Sequence, residues 1–137
     1  MVKNINLINR FDTVSISELF SGKDKLLFIH LSGLYCSDCN RKILLKVKRK
    51  LKAIPESEIV VFGTNMNQRE ALVGYGENIY VSKDNLSNNE DDLNYPYLSI
   101  VDSTLRQVLF FIPDVNYENY LDSCIVLIEN KLITSNS

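Results

Sequence analysis

Two cysteines separated by two residues, in Cys36-Ser37-Asp38-Cys39, are the side chains of this sequence best placed to do chemistry. Thiols at that spacing can form and break a disulfide. The apolar run 26–31 precedes them and reads as a buried strand. Residues 41–52 follow and read as an amphipathic helix. A thiol at a helix N-terminus meets unpaired N–H groups and the positive end of the helix dipole, which stabilise a thiolate. The second thiol lies one turn further on, within reach of a mixed disulfide made by the first. The third cysteine, Cys124, falls in the apolar stretch 120–128 and reads as a packed, inert thiol.

The elements needed to hold this pair follow from pattern. Residues 5–8 form a short strand, and 15–20 a helical turn capped by Ser15 or Ser17. Residues 26–31 are apolar almost throughout, as in a central strand covered on both faces. The first long helix runs from Cys36 to about Ala53, with Ile43, Leu44, Val47 and Leu51 on one face and lysines and arginines on the solvated one. Residues 58–63 form a second central strand. The helix between the two strands makes them parallel, with a right-handed crossover. Residues 67–72 form a short helix ended by Gly74 and Gly76. The polar segment 78–93 reads as an exposed, mobile connection. Residues 97–101 and 107–112 pair as an antiparallel hairpin. Residues 116–130 form the terminal helix, and the residues beyond it fray. The order β-α-β then β-β-α is an α/β sandwich with a mixed sheet.

A chain of 137 residues is one domain, 1–137, long enough to bury a core. A net charge of −2 gives no sign of bulk nucleic-acid affinity. No apolar run approaches the ~20 residues a transmembrane helix needs. The N-terminus lacks a signal peptide's apolar region, which makes the cytoplasm the default compartment. A trimmed mature form would instead belong to the periplasm or cell envelope.

With these parts in place, the sequence resembles the thioredoxin-fold family, and within it the redoxins that include TlpA-like thiol–disulfide oxidoreductases. The resemblance rests on the segment 12–19, on Gly22-Lys23, on the strand 26–31, on Tyr35 and Cys36 to Cys39, and on Tyr95-Pro96 leading into 97–102. It covers nearly the whole chain. It implies a three-layer α/β/α sandwich around a central mixed sheet. It implies a cis Tyr95–Pro96 bond facing the cysteines, with Tyr35 and Tyr95 lining a substrate groove. Thioredoxins often carry a buried acidic group six residues before the first cysteine; here that position is His30, the only histidine. His30 is then either the base that deprotonates Cys39 or a hydrogen-bonded core histidine. A third reading makes it a metal ligand with the two cysteines, as in copper-delivery relatives, whose own histidine comes from a later loop.

Ser37-Asp38 replaces the Gly-Pro of the thioredoxin branch, and the Asp38 carboxylate opposes the helix end in setting the Cys36 pKa. A peroxiredoxin-type site expects a threonine three residues before its reactive cysteine, where this chain has Gly33. The expectation is a thiol–disulfide oxidoreductase with Cys36 attacking and Cys39 resolving. It uses no cofactor beyond the cysteine pair, and its partners are protein thiols or disulfides and a redox partner protein. The rival is a thioredoxin-fold binding module without redox turnover.

Overall fold

The computed structural model describes residues 1–10, 12–114 and 116–136, with side chains through residue 133. In chain order the elements are β1 (Asn6–Ile8), β2 (Thr13–Ser15), β3 (Lys25–Ser32), α1 (Ser37–Lys50), β4 (Ile59–Thr64), α2 (Gln68–Tyr75), β5 (Tyr80–Ser82), β6 (Tyr97–Asp102), β7 (Gln107–Phe111) and α3 (Glu118–Asn136). They build one mixed sheet in the order β2-β1-β5-β4-β3-β6-β7. β3 lies inside it, parallel to β4 and antiparallel to β6. That position explains its unbroken apolar run: Leu27, Ile29 and Leu31 face one core, Leu26 and Phe28 the other.

The connections β3-α1-β4 and β4-α2-β5 step across the sheet in the same direction. Right-handed crossovers then place α1 and α2 on one face. α3 joins them there. Ile43, Leu44 and Val47 of α1, Ala71 of α2, and Leu121, Ile125 and Ile128 of α3 share one buried cluster. Ion pairs from Lys46 to Glu118, at 2.6 Å, and from Lys50 to Asp122 tie α1 to α3. The opposite face is covered differently. Val2, Ile5, Ile16, Phe20 and Leu86 seal it, from the N-terminal segment, a 3-10 turn over Ile16–Phe20 and the connection after β5. The α/β sandwich is as expected, but its far layer is built of 3-10 turns and extended chain.

Local details differ from these expectations. The segment 78–93 is not a loose connection. It contributes β5 to the sheet and a 3-10 turn over Glu90–Asn94, and it buries Ile79, Val81 and Leu86. Its polar side chains satisfy one another: Tyr97 donates to Asn85, and Ser87 and Tyr95 both donate to Asp92. β2 carries too few residues for its alternation to register in the sequence. α1 stops at Lys50, short of the expected end. α3 runs on to Asn136 because Leu132 continues the buried stripe of Ile125 and Ile128. Ser15 does stand at the cap position of its turn, yet its hydroxyl bonds Ser17 and Glu18 side chains rather than the backbone.

The turn after β3 presses against the turn after β4. Gly33 N–H donates to the Thr64 carbonyl at 2.8 Å. A Cβ at Gly33 would lie 2.0 Å from the Asn65 carbonyl oxygen, closer than atoms can approach. Gly74, in the last turn of α2, has open space around it. Gly33→Ala should therefore lower stability by about 1–3 kcal/mol, as overpacking does. Gly74→Ala should leave it unchanged or raise it by up to ~1 kcal/mol through helix propensity. Urea unfolding of both variants checks this, and equal midpoints would contradict the close approach.

Candidate functional site: a cysteine pair at a helix N-terminus

Cys36 is the N-cap of α1. Its sulfur takes the role usually filled by a serine or aspartate oxygen, accepting the Cys39 N–H at 3.2 Å. Cys36 is exposed, Cys39 is half-buried and Cys124 is buried; all three are free thiols. The Cys36 pKa is held below that of an ordinary thiol. The main cause is the hydrogen bond from the Cys39 thiol, followed by the Cys39 backbone N–H; burial works against them, the Asp38 backbone N–H adds to them, and the Asp38 carboxylate charge opposes them least. The Cys39 pKa is pushed up, first because it donates to Cys36 and then by burial. Asp38 is not left facing the sulfur alone, since Arg41 Nη1 lies 2.5 Å from its carboxylate.

Three polar residues at the end of β3 and the start of α1 hold this turn in place. Ser32 donates to the Leu93 carbonyl at 2.5 Å and accepts the Leu34 N–H at 3.1 Å. Asn40, fully buried one residue after Cys39, donates to the Ser32 carbonyl at 2.8 Å and to the Tyr75 hydroxyl at 3.0 Å. Its Oδ1 has no hydrogen-bond partner. His30 bridges Tyr95 O, 3.0 Å from Nδ1, and Thr64 Oγ1, 2.7 Å from Nε2. A carbonyl only accepts, so Nδ1 carries the proton and Nε2 accepts from the Thr64 hydroxyl. His30 stacks on Tyr97 with ring centroids 4.4 Å apart. Burial is the largest influence on it and pushes its pKa down to about 4, against smaller upward pulls from the Tyr95 carbonyl and Asp92.

The sequence-predicted residues thus take different places. Cys36 and Cys39 meet in one hydrogen-bonded unit. Tyr35 is exposed just before them, and its pKa is raised by burial first, then by Cys39, Asp114 and Cys36. His30 directs both ring nitrogens to Tyr95 and Thr64, and neither to Cys39. Ser32–Leu93 and His30–Tyr95 together pin the segment before β6 to the C-terminal end of β3. Tyr95 and Pro96 therefore border the cysteine turn's own strand. The Tyr95–Pro96 bond itself corrects the expectation: no peptide bond is cis among the described residues. Tyr95 is extended, at φ −149° and ψ 161°, the region favoured before a trans proline, and His30 holds its carbonyl there.

A metal set of Cys36, Cys39 and His30 is not assembled. The described residues contain no cluster of three or more His, Cys, Asp or Glu able to hold an ion, and both His30 nitrogens are already hydrogen-bonded. Sequence reasoning missed Ser32, Asn40 and Thr64. Asn40 carried a readable signal, a polar residue on the apolar face three and four positions before Ile43 and Leu44. A cavity of about 600 Å³, lined by Leu51, Ile54 and Tyr80, opens at the far end of α1, away from the cysteines.

No family model matches the sequence, and no curated protein matches it. Solved structures do match. A solution structure of a thiol:disulfide interchange protein from Bacteroides sp. superposes with a TM-score of 0.57 at 16% identity, covering 93% of this chain and 85% of that one. The mitochondrial 2-Cys peroxiredoxin of Plasmodium falciparum gives 0.57 at 14% identity, covering 94% and 91%. Arabidopsis thaliana ScoI with copper bound gives 0.56 at 11% identity, covering 94% and 98%. These proteins share one architecture over almost the whole of this chain, and so the protein has a thioredoxin-like fold.

Proposed function

We propose that this protein is a thiol–disulfide oxidoreductase that exchanges a Cys36–Cys39 dithiol or disulfide with protein substrates. The observation that carries the reading is the division of labour in the pair: an exposed Cys36 with a lowered pKa and a more buried Cys39 with a raised one. The Cys36 thiolate attacks a substrate disulfide, forming a mixed disulfide and expelling one substrate thiolate. Cys39 loses its proton and attacks the Cys36 sulfur. The Cys36–Cys39 disulfide forms, the second substrate thiolate leaves, and the substrate has gained two electrons. The reverse sequence oxidises a dithiol. The electrons reside in the cysteines, so no organic cofactor is required.

The related chemistries fit this site less well. A peroxiredoxin-type site needs a threonine side chain where Gly33 stands, and the Asn65 carbonyl occupies the space of even a Cβ there. A copper site of two cysteines and a histidine from a later loop has no such histidine here: the only one is His30, on β3, and Tyr95 and Thr64 hold it. His30 acts in this reading as a positioning residue for the Tyr95 carbonyl. The exposed Tyr35 and the half-buried Tyr95 flank the substrate's approach to Cys36. No helix among the described residues is long and apolar enough to cross a membrane.

Alkylation of the reduced protein near neutral pH should label Cys36 well before Cys39 and Cys124. Cys39→Ser should accumulate mixed disulfides through Cys36, and Cys36→Ser should accumulate none and lose turnover of an insulin-type disulfide. Faster labelling of Cys39, or turnover surviving in Cys36→Ser, would refute the assignment.

His30 makes a pH signature with a definite sign. Its folded pKa of about 4 lies below the unfolded value of about 6.5, so the unfolded chain binds more protons between them. The stabilisation is complete above pH 6.5 and is lost as pH falls towards 4, by on the order of 3 kcal/mol. His30→Gln should be less stable at pH 7, yet should lose less stability than the parent between pH 7 and pH 5. Denaturant unfolding at both pH values measures this; parallel losses in the two proteins would rule out a neutral, buried His30.

A further inference from the structure

Ser37, the residue after Cys36, forms part of the wall of a cavity of about 450 Å³ between α1 and α2. Met66, Val73 and Tyr75 line the cavity together with the two arginines Arg41 and Arg69. The nearby carboxylates are already used. Asp38 pairs with Arg41, which also donates to the Gly74 carbonyl at 3.1 Å. Glu70 accepts the Asn67 N–H at 3.3 Å in the capping box that starts α2. Arg69 makes no ion pair among the described residues. The cavity therefore offers one uncommitted positive charge, set among apolar surfaces and next to the nucleophilic turn.

We propose that this cavity receives an acidic residue of the substrate polypeptide, close in sequence to the cysteine that pairs with Cys36, and that Arg69 is its partner. The inference deepens the oxidoreductase reading and rests on it. A carboxylate is the complementary group because Arg69 makes no ion pair among the described residues, while Asp38 is paired with Arg41 and the Glu70 carboxylate is turned to the Asn67 N–H. A polypeptide is the occupant because exposed apolar side chains lie on both sides of the Cys36–Ser37 step. Leu34 is 61% exposed before it, and Val73 is 79% exposed across the cavity. A ligand of several residues can cover both while placing one side chain between them. Ser37, next to Cys36, already lines the cavity, so the acidic residue is assigned to the second position before or after the substrate cysteine, about 7 Å along an extended chain.

The test uses the native chain and labelled nine-residue peptides with serine in place of cysteine. Each carries Glu or Gln two positions before or two positions after that serine. Fluorescence anisotropy reads binding without any thiol exchange. One of the two Glu positions should bind about three- to fivefold more tightly than its Gln counterpart, the range an exposed charge pair supports. The preference should vanish in Arg69→Gln and in 0.5 M salt, while Gln-peptide affinity stays the same in both proteins. Equal or undetectable binding of Glu and Gln peptides overturns the proposal, as does a preference that survives Arg69→Gln. Turnover of a neutral disulfide peptide is measured alongside. Its absence counts against the oxidoreductase reading alone, because the serine peptides report the cavity independently.

Discussion

A single neutral imidazole holds together the parts of the structure that matter for the site. His30 sits fully buried on the central strand and has two fixed partners. Through Thr64 it fastens the end of β4, and through the Tyr95 carbonyl it fastens the chain entering β6. Those are β3's two neighbours in the sheet, and both carry loops that surround the cysteine turn. Burial favours the uncharged ring: the Thr64 hydroxyl could turn to accept from a protonated Nε2, but the Tyr95 carbonyl and Asp92 compensate a buried charge less than desolvation costs it. Burial enforces the neutral form. The same burial that makes His30 a poor proton carrier at neutral pH makes it a good strut.

The cysteine turn depends on that frame at short range. Ser32 and Asn40 bracket it, one binding the Leu93 carbonyl and the other reaching both the Ser32 carbonyl and Tyr75. Gly33 lets the turn lie directly on the Thr64–Asn65 backbone. α1 is therefore anchored at its first turn by polar contacts and along its length by Ile43, Leu44 and Val47. Cys36, projecting from the N-cap, is left as the exposed member of an otherwise fixed turn. That is the condition for a thiol that must meet large substrates without rearranging its own support.

Most of this frame could be read from residue types, and the unread part has a common cause. The apolar run of β3, the apolar face of α1 and the cysteine spacing are strong local patterns, and they yielded the crossover, the sheet and the pair. The segment 78–93 failed because much of its burial is achieved by polar side chains that find partners, as in Tyr97–Asn85 and Ser87–Asp92. Hydropathy sees only exposure there. His30 showed itself as an anomaly on an apolar strand, but its partners, Thr64 and Tyr95, lie 34 and 65 residues away. Long-range hydrogen bonds leave no periodicity. The Tyr95–Pro96 geometry came from family resemblance alone, and nothing in the dipeptide itself selects between the two isomers beyond a weak preference for trans.

The balance at Cys36 shows why the residues between the cysteines need not be neutral. A carboxylate at the second position of a helix opposes ionisation of a neighbouring thiol, and on that ground alone Asp38 would make Cys36 a poor nucleophile. The same carboxylate, however, lies in the first helical turn, where it is favoured by the dipole and where a residue three positions on can reach it. Arg41 does so, at 2.5 Å. The Asp38 carboxylate is thus paired, and its unfavourable charge is the smallest of the effects acting on Cys36. What decides the sign is the Cys39 group, which offers its thiol and its backbone N–H to the same sulfur. Cys39 thereby raises its own pKa while lowering its partner's. The asymmetry between attacking and resolving thiol arises first from the hydrogen bonding within the pair, and Asp38 between them acts only as a lesser influence on either sulfur.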